Sequence, residues 1–285
     1  MYQTDSASRT ANYLFDSVED MLGDLDRINP GRTAGFDARY YGPGGWAARF
    51  VGREFVNWSA ARDASRTAWR PGLEVLERML GDLAGAALPR PKSRKRRLRF
   101  SETDGDEVDY DRLRAGQEFW RTSRRETSNG PATITIMVDV GANCFVAHED
   151  ILWRGAAAIA LTSILEEAGY RVELWAVHRS NETWPSGACK NGFWAVCLKR
   201  PGDVLDPSTL INTVSGWFFR TAYFRACYFG VSEVSESLGS ARTPTTVDLD
   251  LVTPDPTRLL IADAFDYDAA VATARGLLDR LCGEN

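Results

Sequence analysis

Between residues 133 and 177 the spacing of apolar positions changes period twice. In Thr133–Val138, Ile134, Ile136 and Val138 share one face while Thr133, Thr135 and Met137 share the other, which is the period of a strand. A run this apolar suits a strand covered on both faces. It stops at Asp139, and the loop Val140-Gly141-Ala142-Asn143-Cys144 follows. From about Ile151 to Ala168 the pattern becomes helical, with Trp153, Ala157, Leu161, Ile164 and Ala168 on a buried stripe. Glu149 and Asp150 suit the helix start and Gly169 its end. Val172, Leu174 and Ala176 then alternate again. A strand–helix–strand unit of this length predicts parallel strands joined by a right-handed crossover.

The next strand, Phe193–Lys199, follows with no helical pattern between. The two therefore pair as an antiparallel hairpin at the sheet edge. Asp206-Pro207 caps and opens a helix to Val214. A second helix carries Trp217, Phe218, Phe219, Tyr223, Phe224, Tyr228 and Phe229, read as core. Thr246–Val252 alternates as a strand, Arg258–Ala262 is a buried strand ending at Asp263, and Asp266–Leu281 is the closing helix.

Ahead of this unit, Leu14, Val18, Met21, Leu22 and Leu25 predict one helix within residues 1–30. A Gly-Pro-Gly-Gly turn at 42–45 and helices Ser59–Trp69 and Leu73–Leu83 follow. Asp104-Gly105 predicts a hairpin turn joining Leu98–Ser101 to Glu107–Val108. The pattern divides the chain into a helical, loop-rich region over 1–90, a charged linker with a short hairpin over 91–130, and an α/β domain over 131–285.

Charge adds one feature. Seven of the ten residues from Arg90 to Arg99 are basic: Arg90, Lys92, Arg94, Lys95, Arg96, Arg97 and Arg99. Such a run is a solvated linker or a phosphate contact for nucleic acid. The acidic residues from Glu102 to Asp111 are placed to cancel its field, and the net charge of −5 gives no broad attraction to nucleic acid. Five scattered cysteines point to free thiols in a reducing, cytoplasmic setting. No run of about 18 apolar residues predicts a membrane span, and the N-terminus lacks the pattern of a signal peptide.

Familiar catalytic signatures are missing: no phosphate-binding loop, no G-x-G-x-x-G after a strand, no G-x-S-x-G and no H-E-x-x-H. Cys144 and His148 lack the further ligands that zinc requires, and with His178 nothing fixes them as a hydrolase pair. Asp139, at the C-terminal end of a strand, sits where open α/β sheets bind ligands. Arg154 precedes Gly155 early in the helix, and a rim position would let it order the Asp139 loop as an Arg–carboxylate pair.

The strand ending at Asp139, its loop, the helix and the hairpin resemble a von Willebrand factor A-like domain. That family holds a divalent metal at a D-x-S-x-S loop, with a Thr from a later loop and an Asp after a central strand. The resemblance makes Asp139, Asn143 and Asp263 a degenerate Mg²⁺ or Mn²⁺ site, with Gly141 replacing the first Ser and Thr213 or Thr221 as the Thr. In it, Arg154 occupies the vacated metal position. A wider resemblance is to an uncharacterised family of phage and bacterial proteins with a degenerate A-like C-terminal domain. It rests on Trp69-Arg70-Pro71-Gly72-Leu73, Val108-Asp109-Tyr110-Asp111-Arg112, and Arg154-Gly155-Ala156-Ala157 through Gly169-Tyr170-Arg171-Val172-Glu173.

These readings order three functions. The first is a non-enzymatic protein-interaction module in a phage- or mobile-element-associated intracellular protein. The second is a nucleic-acid-associated factor using the basic run. The third is a divalent-metal-dependent enzyme at Asp139 and Asp263.

Overall fold

The computed structural model describes residues 2–5, 10–41, 50–85, 97–124, 133–183, 189–226 and 241–283. The basic residues Arg90, Lys92, Arg94, Lys95 and Arg96 lie outside them.

Two strands open the chain: β1 (Tyr2–Asp5) and β2 (Thr10–Phe15) form an antiparallel pair. The helix expected from Leu14 onward begins only at Val18 and runs to Asp26, because Ser17 caps it by accepting the Asp20 N–H. Leu14 belongs to the strand, which periodicity over a longer window conceals. Helices Trp58–Ser65 and Arg70–Leu83 follow much as the pattern predicts.

The charged middle region holds a small sheet of its own. β3 (Arg97–Ser101) and β4 (Glu107–Val108) do not pair with each other. Both pair with β5 (Trp120–Arg124), β3 on one side and β4 on the other. The expected hairpin at Asp104-Gly105 is therefore a connection passing over β5. Residues Trp120 to Arg124 contain two arginines and no aliphatic side chain, so they carry no strand pattern that would reveal the partner.

The central sheet adds β6 (Thr133–Asp139), β7 (Arg171–Thr183), β8 (Cys189–Lys199), β9 (Ala241–Arg242) and β10 (Leu259–Ile261). Its order is β1-β2-β8-β7-β6-β10, with β9 also beside β7. Three pairings are parallel: β6 with β7, β6 with β10 and β2 with β8. The β7–β8 hairpin is antiparallel as expected, but the sheet continues past β8 through β2 and β1. This is an α/β fold in which the N-terminal residues complete the sheet. The larger core likewise joins Met21, Leu22, Leu76 and Met79 to Ile134, Ile136 and Val138, so both sheet and core cross the expected boundary at residue 90.

The helix His148–Glu167 is buried on nearly every side rather than along one stripe, and Trp153 is among its less buried residues. A helix packed between a sheet and other helices has no solvent face to mark by polarity. A Cβ on Gly155 would lie 2.4 Å from Val214 Cγ2, so this glycine admits the segment after helix Pro207–Thr213 rather than the sheet. On the opposite face, Met137, Trp175, Val177, Phe193 and Leu249 form a second cluster. Leu249 comes from a helix, Thr246–Asp250, where alternation predicts a strand. Thr245 and Asp248 cap that helix reciprocally, with the Thr245 N–H donating to Asp248 Oδ2 at 2.7 Å, and this local bonding outweighs the alternation.

Candidate functional site at the C-terminal end of the central strands

Because β6 and β10 run parallel, the loops after Asp139 and after Ile261 emerge at the same end of the sheet. Gly141 lies at the centre of the first loop. Its N–H donates to Asp139 Oδ1 at 2.8 Å, and its carbonyl accepts from Arg154 Nη2 at 3.0 Å. His178 closes the third side, since a Cβ on Gly141 would lie 2.2 Å from His178 Nδ1. Asp139, Arg154 and His178 are all buried. Among the described residues, Arg154 Nε and His178 Nδ1 have no hydrogen-bond partner.

Burial decides the charge states here. Desolvation raises the Asp139 carboxyl to about 7 against the pull of Arg154 and the Gly141 N–H, and Asp263 raises it further. Desolvation also lowers the His178 imidazole to about 3, with Arg154 acting in the same direction. His178 is therefore neutral near pH 7 and can accept at Nδ1. It is held by stacking on Trp194, with ring centroids 5.5 Å apart, and Trp194 stacks in turn on Tyr13 at 5.3 Å. The three rings stand opposite one another across β7, β8 and β2, so the N-terminal strand buttresses the site.

Three loops are joined here into one rim. Asn143 Oδ1 accepts from the Ala241 N–H at 3.0 Å, tying the β6 loop to β9. Thr243 Oγ1 donates to the Asp263 carboxylate at 3.2 and 3.4 Å, tying the segment after β9 to the β10 loop. Arg154 closes the circuit, with its guanidinium 5.3 Å from the Phe265 ring centroid while it bonds to Gly141. Asp263 makes this turn at φ 55, a left-handed conformation that Asp tolerates better than most residues.

The tip of the first loop is a turn. The Val146 N–H donates to the Asn143 carbonyl at 3.1 Å, leaving Cys144 and Phe145 at its apex. Arg220 clamps it from beneath, donating to the Val146 and Asn143 carbonyls and, through Nη1, to that of Phe50. Arg220 is buried in a π-helical turn, Phe219–Tyr223, and burial lowers its guanidinium to about 10. π-turns are frequent at functional sites. The outcome is a fixed turn that holds Phe145 97% exposed.

A family model described as a domain of unknown function, DUF7192, matches residues 3–272. The chain belongs to this family. No curated protein and no solved structure matches it. The family match runs from β1 into the closing helix Tyr267–Gly283, so one family unit holds the N-terminal strands, the small sheet and the rim.

Asp139, Asn143 and Asp263, singled out from sequence, each order or tie loops at this rim. Asp139 Oδ1, Asn143 Oδ1 and the Asp263 carboxylate accept from Gly141, Ala241 and Thr243 respectively. His178 fills the space beside Gly141 that a serine side chain would need, and the Arg154 cation lies near Asp139 and Asp263. Among the described residues no group of three or more His, Cys, Asp or Glu is placed to hold a metal ion. Mg²⁺ and Mn²⁺ take several oxygen ligands, and here the Asp139, Asn143 and Asp263 side chains each already accept a hydrogen bond within or across the loops. Thr213 and Thr221 are also elsewhere, donating to the carbonyls of Leu210 and Trp217 within their own helices. The threonine at the rim is Thr243. Arg154 is near Asp139 as expected, but its bond goes to the Gly141 carbonyl and it acts on the carboxyl through space.

The sequence did not point to Thr243, Phe145 or Arg220, and it offered His178 only as a zinc ligand or a hydrolase partner of Cys144. A signal existed for two of them. Arg220 interrupts an aromatic run, and Phe145 is a lone aromatic in a loop of small and polar residues. Within the small sheet, Arg97 stands opposite Arg124 and Arg99 opposite Thr122 in the backbone register. Among the described residues no helix is long and apolar enough to cross a membrane.

Proposed function

We propose that the chain is a non-enzymatic protein-interaction module whose contact surface is the rim at the C-terminal end of β6 and β10. The observation that carries this reading is Phe145, 97% exposed at the apex of a turn that buried Arg220 holds from below. A large ring held in water by a rigid support presents apolar area whose burial by a partner is favourable. Phe265, 46% exposed on the β10 loop, and Val247, 73% exposed on the helix Thr246–Asp250 after β9, are further exposed apolar side chains on segments that meet at this rim. The strand order β8-β7-β6-β10 with its antiparallel β7–β8 pair supports the von Willebrand factor A-like reading of this part of the fold. Fold analogy then adds that such domains work mainly by binding other proteins. The setting, a phage- or mobile-element-associated intracellular protein, rests on the wider resemblance and on the scattered cysteines.

Site-specific photocross-linking in the native host tests the proposal. Val204, 90% exposed, follows β8 at the opposite end of the sheet and serves as the control. A photoreactive phenylalanine analogue at position 145 should yield one defined protein adduct that the same analogue at 204 does not. Equal adducts at both positions, or none at 145, would remove the rim as the contact surface.

A further inference from the structure

We infer that the partner segment seated on this rim is basic, with an apolar residue at its centre. The inference rests on the interaction reading above and deepens it. The apolar part of the rim is Phe145 and Phe265, on two of the loops that Asn143, Thr243 and Arg154 tie together, with exposed Val247 on the helix Thr246–Asp250 that follows the third. Among the described residues beside them in the chain, the exposed charge is predominantly negative. Glu149 opens the helix after the Phe145 turn, and Asp263 and Asp266 flank Phe265 and Ala264. Arg242 is the exposed cation on β9, while Arg154 and Arg220 are buried and committed to carbonyl oxygens. An aromatic knob inside an acidic margin complements a peptide whose apolar side chain is flanked by Lys or Arg: the ring desolvates the apolar residue, and the carboxylates steer and select the cations.

The surface geometry also limits how such a segment docks. The β6 loop is clamped and the three loops are cross-tied, so the rim offers a preformed surface rather than one that orders on binding. Glu149 stands in the first turn of the helix after the Phe145 turn, and Asp263 and Asp266 stand on the β10 loop beside Phe265. Glu149, Asp263 and Asp266 each have one partner within the chain, in His148, Thr243 and the Ala269 N–H, and an acidic segment would add like charge beside them, which disfavours it.

Fluorescence anisotropy on the full chain tests this with a labelled peptide of about twelve residues in which a central leucine is flanked by Lys and Arg. Two control peptides replace the basic residues by Glu, or the leucine by Ser. The basic–apolar peptide should bind at least about tenfold more tightly than either control. Phe145→Ser should weaken it by at least about tenfold, and Asp263→Asn with Asp266→Asn should weaken it and flatten its dependence on salt. Asn keeps one acceptor oxygen for Thr243 and for the Ala269 N–H and tolerates the left-handed turn at 263, so that double variant is expected to fold. Equal binding of the Glu peptide, or binding indifferent to all these substitutions, overturns the inference. Cross-linking from position 145 separates this failure from failure of the interaction reading. An adduct on an acidic or uncharged segment, in another protein or in a second copy of the chain, sinks the basic-partner inference alone, whereas the absence of any adduct sinks both.

Discussion

Asp139 and Arg154 meet at one peptide group. The Gly141 N–H donates to Asp139 Oδ1 at 2.8 Å, and the Gly141 carbonyl accepts from Arg154 Nη2 at 3.0 Å. An acid from a strand end and a base from the following helix thus share a glycine rather than a direct ion pair. The peptide group orders the loop while both side chains remain buried. This arrangement accounts for the raised carboxyl, because the nearby cation only partly offsets the loss of water.

Gly141 therefore tolerates no side chain. A Cβ there would lie 2.2 Å from His178 Nδ1 and 2.9 Å from Asp139 Oδ1. Gly141→Ala should cost about 1–3 kcal/mol of stability in urea unfolding, as forced overpacking does. Gly141→Ser, the residue a metal-binding loop would carry, should cost at least as much. A serine variant as stable as wild type would contradict the packing described.

The pH dependence of stability should show two opposed slopes. Asp139 rises from 3.8 to about 7 on folding, so the folded protein binds the extra proton and this contribution is lost as pH climbs from about 4 through 7. His178 falls from 6.5 to about 3, so its contribution is complete above about 6.5 and is lost as pH falls toward 3. Between about pH 4 and 6.5 the two offset each other. Asp139→Asn should expose the His178 slope, with stability rising with pH in that window, and should gain up to about 4 kcal/mol at pH 8 relative to its own pH 4 comparison with wild type. Thermal unfolding of both proteins across that range measures it, and parallel profiles would count against a buried, protonated Asp139.

Arg220 is expected to support the exposed turn as well as the core. Removing it leaves the carbonyls of Phe50 and Val146 without this donor, and Arg220→Met should destabilise by about 2–4 kcal/mol. Arg220→Lys, which keeps the charge but not the fork, should fold and yet exchange the Val146 amide hydrogen faster. Unchanged exchange in the lysine variant would mean the turn holds itself.

Phe145→Ser should leave unfolding within about 0.5 kcal/mol of wild type, since the ring is 97% exposed. A larger loss would show that the ring packs within the folded chain and is not kept for a partner.

Millimolar Mg²⁺ or Mn²⁺ should leave the melting temperature of wild type and of Asp139→Ala unchanged, because binding to the folded state alone would raise it. A metal-dependent rise confined to wild type would restore a working metal site at Asp139.

What the sequence determined by itself was local. The alternation in Ile134, Ile136 and Val138, the capped helix at Asp206-Pro207 and the strand ending at Asp263 all follow from periods of two and 3.6 and from side chains bonding their own neighbours. These were enough for an α/β class and for placing Asp139, Asn143, Arg154 and Asp263 at one end of a sheet. Tertiary structure decided the pairings and the chemistry. Nothing within β2 says that it lies beside β8, nor within β5 that it separates β3 from β4, because a strand's partner is chosen by contacts distant in the chain. The roles of the site residues were equally non-local. His178 reaches Gly141 because Tyr13 and Trp194 hold it there, and the oxygens expected to bind a cation accept from Gly141, Ala241 and Thr243. A buried polar atom is satisfied by whatever folding brings next to it, and only the assembled loops supply those neighbours.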